Sequence, residues 1–261
     1  MLGAAILAGG LKHKTQKFNP AGARVQATML SLAAIALVLP AAFHYIGGPG
    51  ALPKESNLSY IISIVLLITY ALSLFFSLYT HKQLFSGSPE AAAAAESAHP
   101  AWSLSKSFGI LGVSTATIAW ISEILVGSVE QAAQAFGMTS VFVGVIVVAI
   151  VGNAAEHSTA ILVAMKNRMD LSLSIAIGSS LQIALFVAPV LVLLSYTMGP
   201  RPMDLVFTPA EVLAVVLAVV ITAQIAGDGE SNWLEGTLLL AVYVILGIVF
   251  YFLPETAPIA H

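Results

Sequence analysis

The chain has 261 residues, 58% hydrophobic and only 9% charged, against about a quarter charged in soluble globular domains. That balance excludes a water-soluble globular domain and places the chain in a bilayer, while the formal net charge of −3 says little by itself. Cysteine is absent, which excludes disulfides and thiolate metal sites.

Residues 1–11, MLGAAILAGGL, form a short apolar run that ends in a basic cluster rather than at a small-residue cleavage site, so no cleavable signal peptide is evident. At about 1.5 Å per residue this run reaches only about half-way across roughly 30 Å of hydrocarbon. The expectation is a truncated start, with an upstream part lost or a partner chain covering the amino terminus. Runs long enough to cross then follow at about 22–46, 57–79, 103–126, 138–165, 171–198, 208–227 and 234–253, which predicts seven spans. Between them stand the turn-rich breaks Gly47-Gly48-Pro49-Gly50, Gly199-Pro200-Arg201-Pro202 and Gly227-Asp228-Gly229-Glu230. The longest break, 80–102, holds Ser-Gly-Ser-Pro and a polyalanine patch between Glu90 and Glu96, and reads as a linker with a short surface helix joining two membrane halves.

Basic residues test this layout, because short cytoplasmic loops collect Lys and Arg. Lys12, Lys14, Lys17, Arg24, Lys82, Lys106, Lys166 and Arg168 fall on one side; Lys54 and Arg201 fall on the other. The Lys12 loop and the 80–102 linker are therefore placed in the cytoplasm, with the acidic 227–233 loop on the same side. The Lys12–Lys17 cluster is most simply a topology signal, with contact to anionic lipid as the alternative.

Polar groups inside apolar runs are the candidate functional residues, since an ionised carboxylate at the bilayer centre costs roughly 2.5–3.5 kcal/mol even on the mildest insertion scale. Gly152-Asn153-Ala154-Ala155-Glu156-His157 lies between VFVGVIVVAIV and STAILVAM. The next span carries Gly178-Ser179-Ser180-Leu181-Gln182, and span 103–126 ends in Ser122-Glu123, with Glu130 just beyond. Asn153 and Glu156 stand about one helical turn apart, as do Ser179 and Gln182. Carboxylate, carboxamide and hydroxyl oxygens suit a hard cation such as Ca²⁺, which takes about six to eight oxygen ligands. Gly152 and Gly178 permit local breaks at which freed carbonyls add ligands near the midplane.

These motifs together resemble the Ca²⁺/H⁺ exchangers of the calcium/cation exchanger superfamily. Gly152-Asn153-Ala154-Ala155-Glu156-His157 resembles the second of that family's two inverted repeat motifs, and Gly178 through Phe186 resembles its companion in the next helix. Ser122 through Val126, Asp228 through Gly236, and Gly9 through Asn19 are similar to further family segments. The resemblance implies an all-α polytopic membrane bundle of two inverted five-helix repeats, the first incomplete here. Residues 1–79 would be a remnant of the first repeat, 80–102 a cytoplasmic linker and 103–253 a complete second repeat. Gly-Asn occurs only at 152–153, so the first repeat's own Gly-Asn-x-x-Glu motif is missing, which a truncated gene, a misassigned start or a split subunit explains better than a new seven-helix transporter.

The implied activity is secondary antiport of Ca²⁺, or a similar divalent cation, against protons, with Ca²⁺ as transported substrate and no cofactor. Glu156, Asn153, Ser179 and Gln182 would be the metal ligands; His157, Glu123 and Asp228 would relay protons or line the access path. The partners would be Ca²⁺, H⁺ and the lipid bilayer of a plasma (inner) membrane, with a missing N-terminal half or a second copy completing the site. Each residue also has a structural reading. Ser179 and Gln182 would be interhelical glue, Glu156 an internal partner of His157 or Asn153, and His157 an orienting group. Glu123 and Asp228 would be solvated near helix ends, and Glu130, Glu211 and Glu235 interfacial. A Na⁺-coupled Ca²⁺ exchanger and a non-transporting fragment or partner subunit are the alternative functions. No Ser/His/Asp arrangement, phosphate loop, zinc spacing or nucleic-acid signature is present, so neither an enzyme nor a nucleic-acid binder is expected.

Overall fold

The computed structural model describes residues 1–85, 102–199 and 201–254, so most of the 80–102 linker lies outside the described residues. Six helices are long and apolar enough to cross a membrane, or seven if one interrupted pair counts as a single span. After the short helix α1 (Leu2–His13) and strand β1 (Thr15–Lys17) come α2 (Pro20–Gly47), α3 (Pro53–Thr80) and α4 (Leu104–Phe136). The interrupted pair is α5 (Val143–Gly152) and α6 (Ala154–Ala164); α7 (Met169–Met198), α8 (Pro209–Gly227), β2 (Glu230–Asn232) and α9 (Trp233–Phe252) complete the chain. Each of the seven expected spans corresponds to one of these helices or to the interrupted pair.

By internal contacts the described residues fall into two compact units, one of 1–85, 155–199 and 201–243, the other of 102–154 and 244–254. In the first unit, α2 packs against α8, α7 and α3, and α3 runs along the second half of α7. The short α1 is part of this core: Ala5 and Ile6 are fully buried and cluster with Ala160, Ala164, Met169 and Leu173. Glycine allows that close approach. A side chain on Gly236 of α9 would strike the backbone of Leu7 and Gly3, and one on Gly10 would strike the backbone of Trp233.

One end of this unit is pinned by loops. β1 and β2 pair antiparallel, with Thr15 opposite Asn232, Gln16 opposite Ser231 and Lys17 opposite Glu230. The pairing holds the loop after α1 against the loop between α8 and α9, as their common placement on the positive side requires. Arg24 Nη2 donates to the Gly227 carbonyl (3.0 Å), satisfying an acceptor at the end of α8 that has no partner within the helix. Asn19 Oδ1 caps α2 by accepting from Ala21 N and Gly22 N, while its own N–H donates to Asp170 Oδ1 (2.6 Å). The opposite end is closed by different groups: His44 Nδ1 lies 2.9 Å from Glu55 Oε1 across the α2–α3 hairpin, and Tyr196 Oη donates to the Ser56 carbonyl.

Glu211 and Glu235, read from the sequence as interfacial, serve as helix caps. Thr208 and Glu211 form a reciprocal capping box on α8, and Asn232 and Glu235 repeat the arrangement on α9. The second unit holds α4 and α5. Side chains from Leu104 to Ile124 are all exposed, as an apolar helix in lipid would be. Gly137, at φ 63°, ends α4 in the left-handed region, and Met138 N donates back to the Ala133 carbonyl.

Gly236→Val should lower stability by about 3 kcal/mol, the upper range for forced overpacking, because the obstacle is backbone rather than a movable side chain. Gly112→Val, where an added Cβ meets nothing within 4 Å, should change it by less than about 0.5 kcal/mol. Thermal unfolding of both variants in detergent, followed by circular dichroism, checks the contrast.

Candidate functional site

Two membrane helices joined by a tight turn carry the sequence-predicted motifs, and the turn and two contacts set their mutual register. Nearest the turn, Asn167 adopts φ 59°, a conformation asparagine tolerates better than most residues, and reverses the chain between α6 and α7. One turn further into the helices, the buried Ser172 Oγ donates to the Ala160 carbonyl (2.9 Å). Deeper still, Ser179 Oγ donates to Glu156 Oε2 at 3.0 Å. Glu156, Ala160 and Ala164 follow at i, i+4 and i+8, so one stripe of α6 faces α7.

Ser179 lies ten residues past Met169, the first residue of α7, or about 15 Å along the axis, which is the middle of a hydrocarbon layer roughly 30 Å thick. The pair therefore sits where water is scarcest, and the hydroxyl meets a hydrogen-bonding demand of the carboxylate that lipid cannot meet. Its surroundings are open: Glu156 and Ser179 are half-buried, and a Cβ on Gly178 would meet nothing within 4 Å.

The helices that carry these motifs are irregular. In α7 the regular bonding of Met169–Gln182 gives way to wide i→i+5 turns over Ile183–Val187. Pro189 lacks the N–H that would bond the Leu185 carbonyl, and its ring crowds that carbonyl, which accounts for the widening. In α5 the same wide turns occupy Val143–Val148, and the helix stops at Asn153 with φ −101° and ψ 16°. Asn153 Nδ2 donates to the Ala149 carbonyl one turn back (2.9 Å), meeting an acceptor that the break would otherwise strand.

The structure thus brings Glu156 and Ser179 together. Gln182 is exposed, one turn beyond Ser179 at the onset of the wide turns, and His157 is half-buried beside Glu156 in the chain. Asn153 bonds within its own helix, Glu123 is exposed on α4, and Asp228 is exposed at the end of α8. Among the described residues no three His, Cys, Asp or Glu side chains gather as a metal site. The His44–Glu55 pair was not anticipated, although the turn Gly47–Gly50 between two apolar runs places residues 44 and 55 opposite one another.

A polytopic helix bundle in which a carboxylate and a hydroxyl meet between two spans, one of them widened just beyond the hydroxyl, is the construction of an ion transporter, and the comparisons agree. The model of the sodium/calcium exchanger protein family matches residues 106–252. The Ca²⁺/H⁺ antiporter of Aphanothece halophytica is 46% identical over 97% of this chain and 70% of its own length. The Ca²⁺/H⁺ antiporter ChaA of Bacillus subtilis is also 46% identical, over 96% of this chain and 70% of its own. The solved structure of native YfkE superposes with a TM-score of 0.76 at 42% identity, covering 97% of this chain and 70% of that one. The chain belongs to the sodium/calcium exchanger family and is an integral membrane protein.

Ser172→Ala removes the interhelical hydroxyl bond to the Ala160 carbonyl, which keeps its bond within α6, and should cost about 1 kcal/mol. Glu156→Gln retains a carbonyl oxygen for the Ser179 hydroxyl and should cost less than about 0.5 kcal/mol. Melting curves of the two variants in the same detergent should separate them in that order.

Proposed function

We propose that this chain is a secondary antiporter that exchanges Ca²⁺, or a similar divalent cation, for protons. The observation that carries the reading is the Glu156–Ser179 pair, a carboxylate and a hydroxyl held together from adjacent helices at membrane mid-depth. Ca²⁺ binds only the ionised carboxylate, and a proton occupies the same oxygens, so each displaces the other. Competition for Glu156 is then the coupling between the two fluxes.

The pair offers about three oxygens, against the six to eight Ca²⁺ takes. Asn153 and Gln182 supply neutral oxygens in this reading, the break at Asn153 and the wide turns after Gln182 free backbone carbonyls, and an equivalent repeat contributes a second carboxylate. His157 tunes Glu156 or hands protons to it; Glu123 and Asp228 stand on the approach. A second reading, in which the chain is one subunit of an exchanger, is favoured by the single carboxylate at the pair. Proton rather than sodium coupling is supported by the Ca²⁺/H⁺ antiporters that it resembles at 46% identity.

The end of the first unit that carries Lys12, Lys14, Lys17, Arg24, Lys82, Lys166 and Arg168 faces the cytoplasm of a plasma (inner) membrane in this reading, and the end with Lys54 and Arg201 faces away. Because the chain has no cysteine, single cysteines report orientation directly. A membrane-impermeant maleimide applied to intact cells should label Lys54→Cys and leave Lys12→Cys unlabelled until the cells are opened.

In proteoliposomes, an imposed pH gradient should drive Ca²⁺ uptake that Glu156→Gln abolishes. Lowering the pH on the Ca²⁺ side should raise the Ca²⁺ concentration for half-maximal uptake without changing the maximal rate. Uptake that follows a sodium gradient instead would identify the Na⁺-coupled alternative. No uptake by well-folded wild type, restored by adding a polypeptide that carries a Gly-Asn-x-x-Glu repeat, would identify the subunit.

A further inference from the structure

We infer that Gln16 is a positioning residue for the Glu156–Ser179 pair, its side-chain amide clasping the turn that joins the two site helices; the inference rests on the antiport reading of that pair. Gln16 is the middle residue of β1, between exposed Thr15 and Lys17, yet it is only 1% exposed itself. An amide buried to that degree is unfavourable unless bonded, and both N–H groups are used. Nε2 donates to the carbonyl of Ala164, the last residue of α6 (2.8 Å), and to Oδ1 of Asn167 in the turn (3.1 Å).

The surrounding chain is shaped to admit this amide. A Cβ at Gly9 would overlap Gln16 Oε1, so the glycine leaves the space that the amide occupies. His13 Nε2 donates to the Met165 carbonyl (2.9 Å), and the Asn19–Asp170 bond closes the far side of the turn. Gln16 Oε1 and the facing Ser231 Oγ make no hydrogen bond among the described residues, so the two donated bonds carry the clasp.

Ala164 lies eight residues from Glu156 along one face of α6, about 12 Å away, with the Ser172–Ala160 bond between them. A tilt of about 5° at the clasped end moves the carboxylate by about 1 Å, enough in a preorganised site to change function by orders of magnitude. Anchoring the end of α6 therefore holds its carboxylate within reach of the hydroxyl on α7. Groups that orient ligands in this way typically change metal affinity by about 10–100-fold when removed.

The test compares wild type with Gln16→Glu, Gln16→Met and Gly9→Ala in the full chain. Gln16→Glu presents a second acceptor oxygen to two acceptors, Gln16→Met fills the space without donors, and Gly9→Ala displaces the amide without altering it. Hydrogen–deuterium exchange should accelerate about tenfold over residues 154–168 and stay unchanged over 209–227. In vesicles, the Ca²⁺ concentration for half-maximal uptake should rise about tenfold at an unchanged maximal rate. Uniformly faster exchange, unchanged exchange at the turn, or faster exchange there with unaltered half-saturation would each overturn the proposal. Should wild type show no uptake, the antiport reading fails by itself. The exchange arm then still decides whether the amide clasps the turn, and Ca²⁺ protection of residues 154–168, lost in the three variants, replaces half-saturation as the positioning readout. If Gln16→Glu does not fold, Gln16→Met and Gly9→Ala carry the same comparison.

Discussion

Hydrocarbon offers no hydrogen bonds, so every polar group this chain carries into the membrane must be met by another part of the chain, by bound ion or by trapped water. The described structure meets most of that demand at its ends, where capping boxes, the β1–β2 pair, Arg24 on Gly227 and His44 against Glu55 absorb the polar groups of helix termini and loops. At mid-depth the demand falls on Glu156, which Ser179 meets in part. In the proposed antiport, either a proton or a divalent ion completes the coordination of this carboxylate.

The register of α6 against α7 carries this arrangement. A hydroxyl–carbonyl bond and a hydroxyl–carboxylate bond, both contributed by serines of α7, lie along one stripe of α6, and the buried amide of Gln16 holds the turn where the two helices meet. The loops that appeared in the sequence as short connections with basic residues thus do mechanical work at one end of the pair. Rigidity there and irregularity beside the site are complementary. The helix widens after Gln182, while the α6–α7 turn is fixed.

Much of this was legible in the residue order, because the bilayer imposes a length and a composition that few other environments require. The spans from 22 to 253, the turn-rich breaks and the shared side of the 227–233 and Lys12 loops follow from apolar run length, glycine and proline, and basic residues in short loops. Glu211 and Glu235 were legible too. Thr208-x-x-Glu211 and Asn232-x-x-Glu235 are capping signatures, which a reading directed at charges near interfaces passed over. Gln16 gave no such signal. A glutamine between threonine and lysine in a polar loop reads as exposed, and only the glycine at position 9 hinted at a close approach.

The sequence by itself determined that this is a membrane helix bundle, where each span lies and which loops share a face, because depth in a bilayer is a one-dimensional coordinate that hydropathy and charge read directly. Tertiary structure alone decided which polar atoms meet: Ser179 on Glu156, Ser172 on Ala160, Gln16 on Ala164 and Asn167, and α1 seated against α9 through glycine. Helix rotation and the lateral order of neighbours leave no imprint on hydropathy when lipid and protein interior are equally apolar. They are fixed by short-range packing and hydrogen bonds between residues far apart in the chain.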